Sequence, residues 1–390
     1  MADIQSPRQA APKRGVIYVM SGTGNSHRAA RWVAETAGAA SVPCEVVPMD
    51  AAAPERELTQ PGPLLVGLCM PTHGFTAPWL AIKFTYRMPR RRGDHAFVIA
   101  TRASAKLGPW ATPGLSGTAT LLIALMLALK GYSIRGLLGL DMPSNWIQVH
   151  PAFRPETVTF VLGKARPAVE DLARDLIAGR RHFPPIGLFY DVVSGLAMLP
   201  IAVAYLLFGR LFFGKIFFAS DRCDGCGICE TSCPVGGVKV LGQDKPRPYW
   251  NYHCESCNRC VSYCPRQAIE IGHGFATFLT LISFIPFVPF VVVGAPRWTR
   301  WFELFGPWLG SLCVLASWYV LLLGFYPLFY LALKVPWFNG VNTFTAITRL
   351  WRRHRDPGTR LLDLVPRDKQ VAWKEIGKRR RRARAAAPRA

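Results

Sequence analysis

Charged side chains are scarce in this sequence, and acidic ones are the scarcest. Of its 390 residues, 18% are charged and 50% are hydrophobic, and 24 Asp/Glu face 47 Lys/Arg. So few charges are unusual in a soluble globular chain, which predicts apolar segments beyond an ordinary core. The opening residues, MADIQSPRQAAPKRGV, also lack the apolar core of a secretory signal. The 11 cysteines are therefore not expected to form the disulfides of an exported protein.

Three long apolar segments lie in the second half of the chain, at 183–219, 274–296 and 304–333. The last two each contain more than the ~20 apolar residues that a membrane span needs. They are joined by RWTRWFE, which is too short for a domain. We therefore expect a transmembrane helical hairpin within 273–334.

The segment 183–219 has Pro200 near its middle, and Arg210 and Lys215 interrupt its second half. A proline inside a helix removes one hydrogen bond and favours a kink. A single ordinary span here would place soluble parts of the chain on opposite faces and a basic tail outside, against the positive-inside rule. We therefore expect a re-entrant, in-plane or short broken-hairpin segment. Asp191, near its start, is a candidate protonation site.

Basic residues are concentrated near the C-terminus, within 335–390. From Arg349 to Ala390 there are fifteen Lys/Arg and four Asp/Glu, a net of +11 out of +23. Nucleic acid is one partner for such a run, but anionic lipid is favoured because apolar segments lie directly upstream. The pattern predicts a basic cytoplasmic tail. It also predicts a multi-pass protein of the inner (cytoplasmic) membrane, with its soluble domains on the cytoplasmic side.

Eight of the 11 cysteines form two runs within 220–272, DRCDGCGICETSCPVGG and CESCNRCVSYCP, with the shared spacing CxxCxxCxxxCP. A structural zinc site needs only two pairs of ligands. Three cysteines of one run with the fourth of the other hold a [4Fe–4S] cluster. Two clusters are therefore predicted, one on Cys223, Cys226, Cys229 and Cys264, the other on Cys254, Cys257, Cys260 and Cys233. The module resembles bacterial ferredoxins with two [4Fe–4S] clusters.

Short apolar strands alternate with helical stretches in residues 15–182, after a flexible start at 1–14. Strands are predicted at GVIYVM, CEVVPM, LLVGLCM, HAFVIAT and IRGLLGL, and helices at 26–38, 78–88, 116–130 and 166–180. This alternation predicts an α/β fold with a doubly wound parallel sheet. The ligand of such a sheet binds beyond the carboxyl ends of its strands.

The loop after the first strand, MSGTGNSHRA, consists largely of glycines and hydroxyl side chains. Such a loop at a helix N-terminus binds phosphate through its N–H and hydroxyl groups. It has no GK[ST] ending, which argues against a nucleoside triphosphatase. It resembles the flavodoxin phosphate loop, S/T-x-T-G-N-S/T, at every position. The resemblance implies a flavodoxin-like domain with FMN, its phosphate held by Ser21, Gly22, Thr23, Gly24, Asn25 and Ser26.

The flavodoxin resemblance implies two further loops around the flavin ring, where the third and fourth strands end. These are PTHGF and TRASAKLGPW, with candidate contacts at Pro71, Thr72, His73, Gly74, Phe75, Thr101 and Trp110. The aromatic members could flank the ring or simply pack. Arg102 and Lys106 depart from the flavodoxin pattern. Their charge would favour an anionic reduced flavin, or it marks a weakened site.

The segment DMPSNWI, Asp141–Ile147, follows the fifth strand. With the phosphate loop and the cysteine runs, it resembles a family in which a flavodoxin-like domain is fused to a two-cluster ferredoxin, over residues 15–270. This implies FMN and electron transfer without naming a substrate. The leading hypothesis is a membrane-bound electron-transfer protein whose partner is a redox protein or a membrane quinone. A flavin-dependent quinone or small-substrate reductase, and a membrane anchor or assembly subunit with a degenerate flavin site, stay open, so enzymatic activity is undecided.

Overall fold

Five parallel strands form the central sheet of the N-terminal half. The computed structural model describes residues 11–51, 53–54, 58, 63–242, 246–284, 323–366 and 368–370. The strands are β1 (Gly15–Val19), β2 (Cys44–Pro48), β3 (Leu65–Pro71), β4 (His95–Ser104) and β7 (Ser133–Pro143). Their order, β2-β1-β3-β4-β7, is that of a flavodoxin-like sheet.

Helices cover both faces of this sheet. They are α1 (Asn25–Ala39), α2 (Trp79–Arg87), α3 (Ala119–Leu129) and α4 (Pro155–Ile177). Residues of α1 and α4 belong to one core cluster and those of α2 and α3 to the other. Because both faces are covered, β3 is a continuous apolar run rather than an alternating one. The carboxyl ends of the strands share one edge, where the candidate site lies.

The predicted strands and the first three helices lie within a few residues of their predicted positions. The predicted helix at 166–180 is wrong at its start, because α4 begins at Pro155. Proline suits the first helical position, and Glu156 favours the positive end of the helix dipole. Pro167 lies inside the helix and hides its continuity in the sequence. A small hairpin of β5 (Lys106–Leu107) and β6 (Trp110–Ala111) follows β4.

An apolar helix of 31 residues, Pro185–Lys215, connects the two halves of the chain. It comprises α5 (Pro185–Ala204), a π-helical turn at Tyr205–Gly209 and α6 (Arg210–Lys215). The broken-hairpin alternative is not formed, because the chain stays helical past Pro200, which lies on the exposed side. Within the described ranges, this is the one helix long and apolar enough to cross a membrane.

A small module carries the two cysteine runs. Its strand pairs are β8 (Phe217–Ala219) with β11 (Ile269–Ile271), and β9 (Val238–Leu241) with β10 (Arg247–Trp250), both antiparallel. One-turn helices, α7 (Ile228–Thr231) and α8 (Arg259–Ser262), each contain the third cysteine of a run. The two runs therefore occupy equivalent positions in two similar halves of the module.

The C-terminal part packs on this module. Helices α9 (His273–Phe284) and α10 (Leu323–Ala332) bring Phe275 and Phe329 together, with ring centroids 3.7 Å apart, in the module's core. Helix α11 (Pro336–Thr345) follows, and residues 352–366, here named the C-terminal strap, run back over both domains.

Two sequence expectations fall on this C-terminal part. The basic cytoplasmic tail predicted at 335–390 is folded against the rest of the chain over 336–366, and 371–390 lie outside the described residues. The transmembrane hairpin expected within 273–334 falls largely on residues 285–322, which also lie outside them.

Candidate redox site

The loop Ser21–Ser26 joins β1 to the N-terminus of α1 and is buried. Gly24 has φ 105°, a left-handed conformation that favours glycine, and its N–H donates to Ser21 Oγ at 3.0 Å. No acceptor in the described part of the chain pairs with the N–H groups of Gly22, Thr23, Asn25 or Ser26. Unpaired N–H groups at a helix N-terminus fit a phosphate group.

The loop opens into a cleft beyond the carboxyl ends of β1, β3, β4 and β7. Thr72 Oγ1 and His73 Nδ1 are buried without a hydrogen-bond partner among the described residues, and polar atoms left so fit a bound polar ligand. Thr101 Oγ1 lies 2.9 Å from Ser26 Oγ and so joins two predicted loops. The predicted residues that line the cleft are Ser21, Gly22, Thr23, Asn25, Ser26, Pro71, Thr72, His73, Gly74, Phe75 and Thr101.

Two predicted residues lie elsewhere. Trp110 is 73% exposed on the β5–β6 hairpin and does not line the cleft, so its contact with the flavin stays a prediction. Gly24 lies behind the loop, against Asp356 and Thr359 of the C-terminal strap.

Sequence reasoning missed three aromatic side chains in the cleft. They are Trp146, Tyr205 and Phe213. Trp146 follows β7, within DMPSNWI, and this motif was the available signal. The other two come from the long apolar helix, where Tyr205 packs against Gly74. The sequence of an apolar segment does not show which of its aromatic rings faces a distant loop and which faces elsewhere.

Arg102 also lines the cleft, but its charge is paired. Its Nε donates to Asp141 Oδ1 at 2.8 Å and its Nη1 donates to Asp191 Oδ1 at 2.9 Å. Ser116 Oγ donates to the same Asp191 oxygen at 2.6 Å. The positive charge of Arg102 is therefore balanced by two carboxylates, and its effect on a bound flavin stays a prediction. Asp191 thereby anchors the long helix to the sheet domain, and its protonation role stays a prediction.

The cysteines surround two separate cavities, and each cavity is lined by one of the two sets of four that the sequence predicted. Cys223, Cys226, Cys229 and Cys264 line one, and Cys254, Cys257, Cys260 and Cys233 line the other, which Cys229 also borders. Gly237 N–H donates to Cys233 Sγ at 3.1 Å and Ala268 N–H donates to Cys264 Sγ at 3.3 Å. Four thiols around a cavity, with N–H donors on sulfur, fit an iron–sulfur cubane. That each set holds one cluster stays a prediction.

The second cavity adjoins the cleft. Cys257 lines both, and its carbonyl oxygen lies so close to Gly22 that no side chain would fit there. Asn258 Nδ2 donates to the carbonyl of Asn145 at 3.1 Å, and Gln148 Nε2 donates to Ser256 Oγ at 2.6 Å. The cysteine module therefore forms one wall of the candidate flavin site.

The C-terminal strap closes the outer side of the phosphate loop. Asp356 N–H donates to the Thr23 carbonyl at 2.7 Å, and Asp356 pairs with Arg28 of α1. His354 Nε2 lies 2.9 Å from Asn25 Oδ1. Thus the strap and the module hold the loop from two sides.

Burial keeps the histidines of this site neutral. It lowers the pKa of His73, in the cleft, to about 4. It does the same to the pKa of His27, in α1, and of His354, in the strap. Burial also raises the pKa of Glu255 to about 7, in the wall between cleft and second cavity. The histidines of the site therefore add no positive charge to it near neutral pH.

A flavodoxin-like sheet whose edge carries a phosphate-type loop, joined to a dicluster module, defines an electron-transfer class of protein. Residues 215–265 match the family model of the 4Fe-4S dicluster domain. An uncharacterized ferredoxin of Methanocaldococcus jannaschii is 33% identical over 60 residues, which are 15% of this chain and 77% of the relative. Through this module the chain belongs to the ferredoxin family.

Other known proteins are similar to this chain over a smaller share of their length or at lower sequence identity. A component of an ion-translocating oxidoreductase complex of Methanosarcina acetivorans is 36% identical over 55 residues, 13% of this chain, and the chain spans only 18% of that relative's length. A flavodoxin structure from Streptococcus pneumoniae TIGR4 is 14% identical, with a TM-score of 0.30 over 42% of this chain and 97% of that one. Rubredoxin oxygen:oxidoreductase of Desulfovibrio gigas is 16% identical, with a TM-score of 0.31 over 44% and 38%. The sheet order, rather than these values, carries the fold assignment.

Proposed function

We propose that this chain is a membrane-associated electron-transfer protein that binds FMN in the cleft and one [4Fe–4S] cluster in each cysteine cavity. The observation that carries the proposal is Cys257, a predicted cluster ligand that also lines the cleft. Flavin and cluster sites that share a wall suit electron exchange between them. When bound, FMN supplies chemistry in one- or two-electron steps and each cluster in single electrons.

The residues of the chain hold and enclose the cofactor. The N–H groups of Gly22, Thr23, Asn25 and Ser26 bind the terminal phosphate, and the dipole of α1 favours its charge. Thr72 and His73 offer polar contacts to the ring, while Tyr205 and Trp146 exclude water from it. A loop closed by the strap and the module accepts a terminal phosphate but leaves no route for an adenylate, so FMN is favoured over FAD.

The proposal also includes a redox partner and a location at the membrane. The partner is a redox protein or a membrane quinone. The long apolar helix and the strongly basic composition support a membrane site, with both redox domains on the cytoplasmic side of a multi-pass chain.

Cofactor analysis of the full-length protein in detergent tests this proposal. We expect one FMN, identified by chromatography after acid release, with about eight iron and eight acid-labile sulfide per chain. Zinc in place of iron would overturn the cluster assignment. Full iron loading without any flavin, even after addition of FMN, would instead support an anchor or assembly subunit with a degenerate flavin site.

A further inference from the structure

The outer face of the helix Pro185–Lys215 has no partner in the described part of the chain. Along its inner face, Asp191, Ser194, Gly195 and Ala202 are buried. The opposite face is apolar and open to solvent, with Ile186 at 85%, Phe189 at 70% and Leu196 at 69% exposure; Val193, Leu199 and Val203 continue it. An apolar helix left exposed on a folded body requires an apolar environment.

The inner face is fixed to the folded body along most of the helix. Near its start, Asp191 pairs with Arg102, and Gly195 packs against the backbone of Gly117. Near its end, Arg210 stacks on Trp79 and Gly214 packs against Cys254. From residue 191 to 214 a helix extends ~35 Å. That exceeds the ~30 Å hydrocarbon core, so a helix attached to polar domains over this length cannot cross it.

The charges at the rim of this face match an anionic surface. Asp191 is the only acidic residue between Arg181 and Lys215, and it is buried. Exposed Arg181 and Arg180, the latter paired with Asp175, lie shortly before the start of the helix. Neighbouring α3 packs against α5 and ends with exposed Leu125 and Leu129, followed by Lys130. An apolar stripe with basic residues at its rim is typical of helices that lie in the membrane interface.

We infer that the outer face of Pro185–Lys215 docks in the plane of an anionic bilayer surface, parallel to the membrane, and carries both redox domains on that surface. This deepens the membrane association of the proposed function but does not depend on its electron transfer. The re-entrant alternative is excluded by the same contacts, because a segment entering the core would leave the sheet domain. The outer face of the helix contacts the acyl chains of the bilayer at shallow depth only.

Depth measurements on the full-length chain test this inference. A genetically encoded fluorescent amino acid replaces Phe189, Leu196 or Val203, or Glu35 on the exposed side of α1 as the matched control. The protein is placed in nanodiscs of phosphatidylcholine and phosphatidylglycerol that carry nitroxide quenchers either near the glycerol or near the chain end. Flavin and iron are measured on each sample, so loss of the proposed cofactors is distinguished from loss of docking.

An in-plane helix gives the same ratio of shallow to deep quenching at all three positions, with shallow quenching dominant, and none at position 35. A spanning helix changes depth by ~10 Å for each step of seven residues, so a ratio that shifts steadily from Phe189 to Val203 would overturn the inference. Quenching at none of the three would overturn it as well, since protein rather than lipid then covers the face. If quenching is the same in nanodiscs of phosphatidylcholine alone, the basic residues at the rim have no role in docking.

Discussion

Arg259 of the cysteine module donates two hydrogen bonds to the carbonyl oxygen of Ser21 in the phosphate loop, from Nη2 at 2.7 Å and from Nε at 3.2 Å. Its Nη1 donates to the carbonyl of Ser232 at 2.8 Å. The side chain is almost fully buried. One guanidinium therefore ties the loop to the chain segments that precede Cys233 and Cys260, so the shape of the flavin site depends on the module.

Replacement of Arg259 by Met should weaken FMN binding. The substitution leaves the Ser21 carbonyl buried without its donors. Hydrogen bonds to a charged group contribute about 1.5–3 kcal/mol to stability, and this contribution is lost. If half of this free energy is lost from FMN binding, the dissociation constant rises about three- to tenfold, which fluorescence of released flavin measures. Arg266→Met, at an exposed ion pair with Asp224, is the control and should bind FMN normally. Equal affinity in the two variants would show that the loop keeps its shape without the module.

Gly22→Ala should separate the two domains. A Cβ at this position overlaps the carbonyl oxygen of Cys257, and both groups belong to backbone that cannot turn aside. Gly38→Ala is the matched control, because a Cβ there meets nothing within 4 Å and an exposed helical site gains about 0.5–1 kcal/mol. We expect lower thermal stability and faster proteolysis for the first variant only. Equal stability of the two variants would contradict the contact.

Thr23→Asp should abolish FMN binding, because a carboxylate would lie against the phosphate within a buried loop. Thr23 Oγ1 accepts a hydrogen bond from Asn145 at 2.7 Å, so the side chain has a fixed place there. Ser41→Asp adds the same charge at an exposed site and should retain flavin. Flavin content after purification measures both, and normal content in Thr23→Asp would move the phosphate site elsewhere.

Cys226→Ala should remove one cluster and leave the flavin. Cys226 lines the cavity away from the cleft, so iron should fall from about eight to about four per chain, or to about seven if a three-iron cluster forms. Cys44→Ala, at a cysteine outside both runs, should keep all its iron. Unchanged iron and electron paramagnetic resonance spectra in Cys226→Ala would remove this residue from the ligand set.

Acidification should detach the C-terminal strap. Burial lowers the pKa of His354 from 6.5 to about 4, so the unfolded chain binds a proton below pH 6.5 that the folded chain does not. Stability is therefore complete above pH 6.5 and falls as the pH drops toward 4, by up to about 1.4 kcal/mol per unit for each such histidine. Denaturant unfolding between pH 7.5 and 5 measures this slope. His354→Gln should flatten it, whereas an unaltered slope would assign the pH dependence to other groups.

Much of the site could be predicted from sequence because its chemistry is local. Thr23 and Cys226 lie in motifs whose spacing is dictated by one phosphate or one cubane. The exposure of Trp110 depends on a two-residue hairpin turn, and Tyr205 was missed because its position in the cleft depends on where a distant helix packs.

The sequence by itself determined the parallel sheet, the phosphate loop and the two cysteine runs, since periodicity and ligand spacing act over a few residues. The tertiary structure decided what lies next to what. The bond from Arg259 to Ser21 joins residues 238 positions apart, and the pair of Arg102 with Asp191 joins residues 89 apart. Apolar composition alone is equally compatible with a span and with a surface helix. The buried ion pair of Asp191 favours the surface helix that we propose, because a charge satisfied by the sheet domain fixes the helix along that domain.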